Sequence, residues 1–277
     1  MTSPLISTAD LAARLGDPGL KVIDASWHLD GRDGRAEFEQ VRIPGAVFFD
    51  LDAVSDRSSD LPHMLPAAAV FAEAVGALGV SETDSIVVYD SLGLFSAARV
   101  WWTFRLMGAK DVRVLDGGLP AWRADGLPVE TGPPALPASG AFRPSMKSAA
   151  VVDLPAMLSA LTGDAQILDA RPAARFRGEA AEPRPGLRSG HMPGALNVPF
   201  KSVLTETGAL RRGNELAAVF EDAGVDLDLP LITTCGSGVT AAVLTLALAE
   251  LGHDSQLYDG SWAEWGARSD TPVVTEA

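Results

Sequence analysis

Short apolar runs rich in β-branched residues recur along the chain and alternate with longer amphipathic segments. Apolar runs of this length, bounded by turn-forming residues, are typical of strands buried on both faces of a parallel sheet. The segments between them have the helical spacing of βα crossovers. We therefore predict an α/β fold in which parallel sheets are flanked by helices. The predicted strands fall within residues 21–27 (KVIDASW), 85–91 (SIVVYDS), 112–118 (VRVLDGG), 166–172 (QILDARP), 231–235 (LITTC) and 255–260 (SQLYDG).

The two halves of the chain repeat one another in the same order, which indicates duplication of one domain. A passage rich in Pro and Gly separates the repeats, so we predict an N-terminal domain over 1–130, a linker over 131–149 and a C-terminal domain over 150–277. The repeats align Asp90 with Cys235, so the first domain is expected to be catalytically empty. The matched segments are VIDA (22–25) with ILDA (167–170), IPGA (43–46) with MPGA (192–195), IVVYDSLG (86–93) with LITTCGSG (231–238), and LDGGLPAW (115–122) with YDGSWAEW (258–265).

Composition and charge exclude several classes of protein. The formal net charge is −14, and such a field repels polyanions, so we expect no nucleic-acid partner. The longest apolar stretch, near residues 239–251, falls short of the roughly 20 residues that cross a bilayer, so we expect no membrane association. The N-terminus has no readable export signal, and a single cysteine has no intramolecular disulfide partner. Both features predict a cytoplasmic protein.

The single cysteine, Cys235, follows the predicted strand LITT and precedes a glycine-containing loop and a run of good helix formers. Backbone N–H groups of such a loop and the positive end of the helix dipole stabilise a thiolate or a persulfide anion. A lone cysteine is often just a small buried apolar residue. Here Gly236 and Gly238 flank Ser237 in a sharply bent loop at a strand end, where α/β proteins collect ligands, and this favours a reactive thiol.

Two other uses of this loop fit the sequence poorly. A cysteine phosphatase needs an arginine six positions after its nucleophile, and Ala241 occupies that position here. A metal site needs clustered ligands, whereas the chain has four scattered histidines and one cysteine. We predict that the protein needs no metal and no organic cofactor.

The motifs as a whole resemble the tandem rhodanese family and, within it, the 3-mercaptopyruvate sulfurtransferases. The segment Cys235-Gly236-Ser237-Gly238-Val239-Thr240 is similar to the active loop of that group, whereas thiosulfate-using relatives carry basic residues directly after the cysteine. The resemblance implies two tandem rhodanese-like domains. It also implies catalytic roles for Cys235 and Ser237, and substrate-binding roles for Gly236, Gly238, Val239 and Thr240.

A run of arginines between residues 171 and 188 gives this acidic protein one cationic arm. Arg171, Arg175, Arg177, Arg184 and Arg188 outnumber the acidic residues of the segment, which on charge alone is equally compatible with a solvated surface loop. In the resemblance, Arg175 and Arg184 match the two arginines that grip the carboxylate and carbonyl of the substrate. A guanidinium suits that role because its planar fork can bond a carboxylate in two places at once.

The first-half segment FFDLDAVSDRSSDLPHMLP resembles the family segment that supplies a proton-relay pair. By spacing the pair corresponds to Asp52 and His63, with Ser237 completing the link to the substrate. A histidine oriented by a carboxylate can deliver the proton that a departing enolate must gain.

The resemblance thus implies an enzyme that moves sulfur from 3-mercaptopyruvate, through a Cys235 persulfide, to a thiol acceptor such as thioredoxin or a low-molecular-weight thiol, or to cyanide. Two alternatives stay open: a thiosulfate:cyanide sulfurtransferase, and a non-catalytic persulfide carrier in a sulfur relay. The paired arginines argue against a carrier, because a carrier has no need to grip a carboxylate.

Overall fold

The computed structural model describes residues 3–135 and 138–275 of the 277-residue chain. These residues form two compact units. The first unit contains the chain up to Arg57, Leu65–Lys147 and the short segment Leu204–Leu210. The second contains Ser58–Met64, Ser148–Val203 and the chain from Arg211 onward. Each unit therefore includes one short segment taken from the other half of the sequence.

The first unit is a five-stranded parallel sheet with the strand order β1-β5-β4-β2-β3. Its strands are β1 (Leu5–Ile6), β2 (Leu20–Asp24), β3 (Val47–Phe48), β4 (Ser85–Tyr89) and β5 (Asp111–Leu115). The helices that flank it are α1 (Thr8–Arg14), α2 (Gly34–Gln40), α3 (Ala68–Ala77), α4 (Ala97–Leu106) and α5 (Gly118–Ala124).

The second unit repeats this arrangement, with the strand order β6-β10-β9-β7-β8 and every pair parallel. Its strands are β6 (Val151–Val152), β7 (Gln166–Asp169), β8 (Leu196–Asn197), β9 (Leu231–Thr234) and β10 (Gln256–Tyr258). Its helices are α6 (Leu154–Ala160), α7 (Ala173–Phe176), α8 (Gly213–Asp222), α9 (Ala241–Leu251) and α10 (Ser261–Trp265), with 3-10 turns at Ser148–Ala150 and Phe200–Val203.

The matching strand orders confirm the predicted parallel α/β architecture and the internal repeat. All six strands predicted from the apolar runs are present, whereas the four strands of two residues each, β1, β3, β6 and β8, were not predicted. Within the Pro/Gly-rich passage, the described residues between α5 and Ser148 contain no helix and no strand, and an isolated antiparallel bridge joins Glu130 to Arg42. The passage is structure-poor, as its composition predicts.

The helix after the central strand of each sheet is almost wholly buried. In α9 every residue from Ala241 to Leu248 is buried, and in α4 every residue except Arg105 is buried. A helix that is apolar on all sides belongs inside a protein rather than on its surface. Because α9 is buried from its first residue, the position of Ala241 in the core is fixed. This restrains the end of the loop that precedes the helix. In the described part of the chain, no helix has the length and apolar character needed to cross a membrane.

Candidate active site

Cys235 is the first residue after β9, and α9 begins six residues later at Ala241. This confirms the predicted strand-loop-helix arrangement. The cysteine forms no disulfide and is buried, with only 2% of its surface exposed. The N-terminus of α9 follows directly, and its partial positive charge favours an anion on the preceding loop.

The first residues of the loop are anchored by α10. The Cys235 N–H donates to Ser261 Oγ (3.3 Å), and the Cys235 carbonyl accepts from the Trp262 N–H (2.9 Å). The Gly236 carbonyl accepts from the Ala263 N–H (2.8 Å). Ser261 is itself fully buried with a φ of +49°, an unusual conformation for a residue with a side chain, and its hydroxyl donates to the Tyr258 carbonyl. These bonds fix the backbone position of Cys235.

Ser237, two residues after the cysteine, is hydrogen-bonded to His63. Its Oγ lies 3.0 Å from His63 Nδ1, and the two residues are 6% and 5% exposed. His63 has a φ of +60°, again in the left-handed region that side-chain-bearing residues rarely adopt. Because His63 belongs to the segment Ser58–Met64 of the second unit, this contact lies within one unit. The structure therefore brings together two of the predicted relay residues, 174 positions apart in sequence.

The third predicted relay residue, Asp52, lies in the first unit. Its Oδ2 accepts a hydrogen bond from the indole Nε1 of Trp27, at 3.0 Å. This bond orients the carboxylate of Asp52 and supplies one of its hydrogen-bond donors. The pairing of Asp52 with His63 that the family resemblance implies stays a prediction.

Arg175 approaches the cysteine loop at Gly236. A Cβ atom built on Gly236 would lie 3.1 Å from Arg175 Nη2, closer than ordinary van der Waals contact. The guanidinium therefore occupies the space that a side chain at position 236 would need. This places a positive charge beside the residue that follows Cys235, where the sequence predicted a substrate-binding arginine.

Only part of the Arg175 guanidinium is available to a ligand. Its Nε donates to Glu182 Oε1 at 3.2 Å, and its Nη2 pairs with Glu182 Oε2. The Nε/Nη2 fork is thus already bound to a carboxylate, whereas Nη1 has no hydrogen-bond partner among the described residues. The Nη1/Nη2 edge of Arg175 is therefore the edge that a second carboxylate would bind.

Arg171 is linked to Arg175 through Glu182, and its side chain is almost completely buried in an ion-pair network. Its Nε bonds both carboxylate oxygens of Asp169 at 3.0 to 3.1 Å, and its Nη1 donates to Glu182 at 2.8 Å. Its guanidinium also lies 4.1 Å from the ring centre of Trp262. Burial lowers the pKa of Arg171, but its ion pairs with Asp169 and then Glu182 outweigh burial and raise the pKa above the ordinary value. Arg171 therefore stays charged, and its guanidinium holds Asp169 and Glu182 together.

The remaining arginines of the predicted cationic arm are used in different ways. Arg177 pairs with Glu179 on the surface, and Arg188 donates to the carbonyls of Trp265 and Thr271. Arg184 lies half-buried in the loop between α7 and β8 and is not without an interaction partner. Its contact with a substrate stays a prediction. Most of the arm is thus neutralised internally, which a count of charges along the sequence does not reveal.

The acidic residue that sequence reasoning missed is Glu182. It was counted only as a charge that partly offsets the arginines, yet its side chain is 1% exposed and joins Arg171 to Arg175. In the sequence it is one of two glutamates within the arginine run, two residues before Arg184. Its burial depends on the path of the loop, which no local pattern encodes.

Comparisons with known proteins agree with the fold and with the family that the sequence resembles. The family model of the rhodanese-like domain matches the chain twice, over residues 7–125 and 154–268. The chain is 49% identical to the 3-mercaptopyruvate sulfurtransferase of Escherichia coli K12 over 268 residues, 95% of each protein. It is 42% identical to a mitochondrial thiosulfate/3-mercaptopyruvate sulfurtransferase of Arabidopsis thaliana, covering 98% of this chain and 78% of that protein. The crystal structure of SseA from Escherichia coli superposes with a TM-score of 0.86 at 45% identity, covering 94% of this chain and 99% of SseA.

Proposed function

Because the chain belongs to the rhodanese family, we propose that it is a sulfurtransferase that moves sulfur from 3-mercaptopyruvate to a thiol acceptor through a persulfide on Cys235. One observation carries the proposal: the guanidinium of Arg175 lies against Gly236, the residue next to the chain's only cysteine. A cation at that point can hold the carboxylate of a keto acid while its sulfur faces the thiolate.

The donor is bound by arginines on one side of the loop. In this proposal Arg175 bonds the carboxylate through its Nη1/Nη2 edge, and Arg184 bonds the carbonyl oxygen. In the same proposal Gly236, Gly238, Val239 and Thr240 form the floor of the site, beneath the bound donor. Orientation matters because only a correctly aligned C–S bond lies in line with the attacking sulfur.

Transfer follows in one displacement at the donor sulfur. The Cys235 thiolate forms a new S–S bond as the C–S bond of the donor breaks. The electron pair of the broken bond enters the adjacent carbon and is delocalised onto the carbonyl oxygen, giving the enolate of pyruvate. Arginine or Ser237 hydrogen bonds to that oxygen stabilise the charge as it develops.

Protonation of the enolate releases pyruvate. Ser237 is the nearest hydroxyl to Cys235 in the loop sequence, and its bond to His63 gives it a proton source. We assign Asp52 the task of orienting the histidine in this step. A second thiolate then attacks the outer sulfur of the persulfide, which forms the acceptor persulfide and restores the Cys235 thiolate.

The acceptor in this scheme is thioredoxin or a low-molecular-weight thiol, with cyanide as a laboratory substitute. Such acceptors are reduced thiols, and a single cysteine without a disulfide partner suits a compartment that keeps thiols reduced. We therefore place the protein in the cytoplasm.

The direct test is incubation with 3-mercaptopyruvate, followed by an assay of pyruvate and an intact-mass measurement. We expect pyruvate release and the mass of one added sulfur atom, located at Cys235 by peptide mapping. The added sulfur should disappear when excess thiol or cyanide is supplied. Unmodified protein without pyruvate would contradict the proposal.

Thiosulfate is the second candidate donor, because the Arabidopsis relative is named for both donors. Thiosulfate is a compact dianion that gains from positive charge within the loop, and positions 236–240 carry none. We therefore expect a higher specificity constant, kcat/KM, for 3-mercaptopyruvate than for thiosulfate. Parallel assays with the two donors decide between the candidates.

A further inference from the structure

Glu182 connects the buried ion network to the residue that faces the cysteine loop. Its side chain is 1% exposed and pairs with Arg171 Nη1 at 2.8 Å and with both Nε and Nη2 of Arg175. Arg171 is held in turn by Asp169 and by the carbonyl of Gly190. A series of contacts therefore links Asp169, at the end of β7, to Arg175, which lies beside Gly236 in the loop after β9.

This arrangement restricts the orientation of the Arg175 guanidinium. Rotation about its terminal bonds would break two charge-assisted hydrogen bonds to a buried carboxylate, which are among the stronger polar interactions in proteins. The arginine side chain is 18% exposed, so its outer edge remains accessible while its inner edge is bound. A long flexible side chain is thereby held in one orientation before a donor arrives.

We propose that Glu182 is a positioning residue for the sulfur donor, which acts by directing the Nη1/Nη2 edge of Arg175 toward the donor's carboxylate beside Gly236. The inference rests on the proposed function, since it names the residue that orients the donor-binding cation. It adds to that function a residue with a buried side chain, which orients the donor-binding arginine without touching the donor.

Two effects of Glu182 on donor binding have opposite signs, which makes the proposal testable. The charge of Glu182 repels the anionic donor, so its removal should tighten binding if electrostatics alone matters. Its hydrogen bonds hold Arg175 in place, so its removal should weaken binding if positioning matters more. Misplacement of a binding group by about 1 Å costs up to about 100-fold in rate, so we expect positioning to dominate.

The experiment compares Glu182→Gln and Glu182→Asp with the wild type and with Glu179→Gln. Glu179 is a matched control, because its carboxylate pairs with Arg177, two positions before it, but is 56% exposed. We expect the KM for 3-mercaptopyruvate and the inhibition constant of pyruvate to rise about tenfold or more in Glu182→Gln. Glu182→Asp keeps the charge but withdraws the carboxylate by one methylene, so both constants should rise there as well. Glu179→Gln should behave as wild type.

Rates are expressed per mole of Cys235 that takes up sulfur at saturating donor, and thermal unfolding is recorded for each variant. Constants that fall in Glu182→Gln, or that stay unchanged in Glu182→Gln and Glu182→Asp while only the melting temperature drops, would overturn the inference. A wild type that forms no persulfide would instead defeat the proposed function itself. The two failures are therefore distinguishable.

Discussion

The loops after the central strands of the two halves hold different groups in equivalent positions. In the first half the buried carboxylate of Asp90 accepts backbone N–H bonds from Leu92 (2.9 Å), Phe95 (2.7 Å) and Ala97 (2.9 Å). In the second half the aligned residue is Cys235, also buried. Burial raises the pKa of Asp90 above its ordinary value, while the three amide bonds oppose that rise. The first half thus shows that a loop at this point of the fold can surround a buried carboxyl group with backbone amides.

A second difference lies at the ends of β2 and β7. Asp24 and Asp169 each accept the backbone N–H two residues further on, at 2.9 Å. Only Asp169 has an arginine there; the first half has Ser26 in place of Arg171. A cavity of about 590 Å³ lies beside Asp24 and Ser26, whereas Arg171 packs against Trp262. Both halves therefore share a strand-end aspartate that accepts this backbone hydrogen bond. Only in the second half does the aspartate also pair with a buried arginine.

The largest expected effect is the loss of sulfur transfer in Cys235→Ser. The hydroxyl of serine is not an effective sulfur acceptor, so turnover should fall by about 1000-fold or more. The counterpart substitution is Asp90→Asn, which places an amide NH2 against backbone N–H donors. It should lower the free energy of unfolding by about 1 to 3 kcal/mol and leave transfer per folded molecule intact. Pyruvate assays and urea unfolding measure the two effects.

The reverse pattern would contradict this comparison. If Cys235→Ser retained turnover, another residue would have to accept the sulfur, and the chain contains no second cysteine. If Asp90→Asn abolished transfer in folded protein, Asp90 itself would have a catalytic role that its alignment with Cys235 does not predict.

The two strand-end aspartates should respond to substitution in opposite ways. Asp169→Asn leaves Arg171 buried without its main counter-ion, which costs about 3 to 5 kcal/mol. Asp24 has no such partner, and burial, opposed by its bonds to Ser26, raises its pKa from 3.8 to about 6. Its ionised form is therefore disfavoured in the folded state. Asp24→Asn should be neutral or stabilising at pH 7.5, as measured by urea unfolding.

The pH dependence gives a control for this pair. Because folding raises the pKa of Asp24, the folded state binds its proton more tightly, and the stabilisation is complete below pH 4 and lost as the pH rises through about 6. The stability of the wild type relative to Asp24→Asn should therefore decline between pH 4 and pH 6. A relative stability that rises over this interval would show that Asp24 is stabilised as an anion.

The sequence predicts the parts of this molecule that local patterns encode. The six longer strands, the repeat and the position of Cys235 between β9 and α9 follow from apolar runs and glycine placement. The two-residue strands do not, because two residues are too few for a period to be recognised. The bond between His63 and Ser237 was reached through family resemblance, since nothing local indicates a left-handed histidine that pairs 174 residues away.

The ion network was the larger omission, and its cause is physical. The sequence shows five arginines and three acids in the segment around the second strand of the repeat, but their pairing depends on which side chains the loop buries. Glu182 lies seven positions from Arg175, but α7 ends at Phe176, so helical periodicity does not pair the two residues. They meet because of the path of the loop after α7. Charge counting alone predicts an open cationic arm, whereas the structure contains a largely neutralised one.

The smallest expected effect, and the most local, concerns Gly236 and its first-half counterpart Ser91. A methyl group at position 236 would meet Arg175 Nη2 at 3.1 Å, and the end of a long side chain can shift by a few tenths of an ångström. Gly236→Ala should therefore raise the KM for 3-mercaptopyruvate only about threefold to tenfold, with a smaller change in kcat. Ser91→Gly removes a side chain at the equivalent point of the first half and should leave both constants unchanged. An unaltered KM in Gly236→Ala would mean that the donor does not use Arg175 in the position where Glu182 holds it.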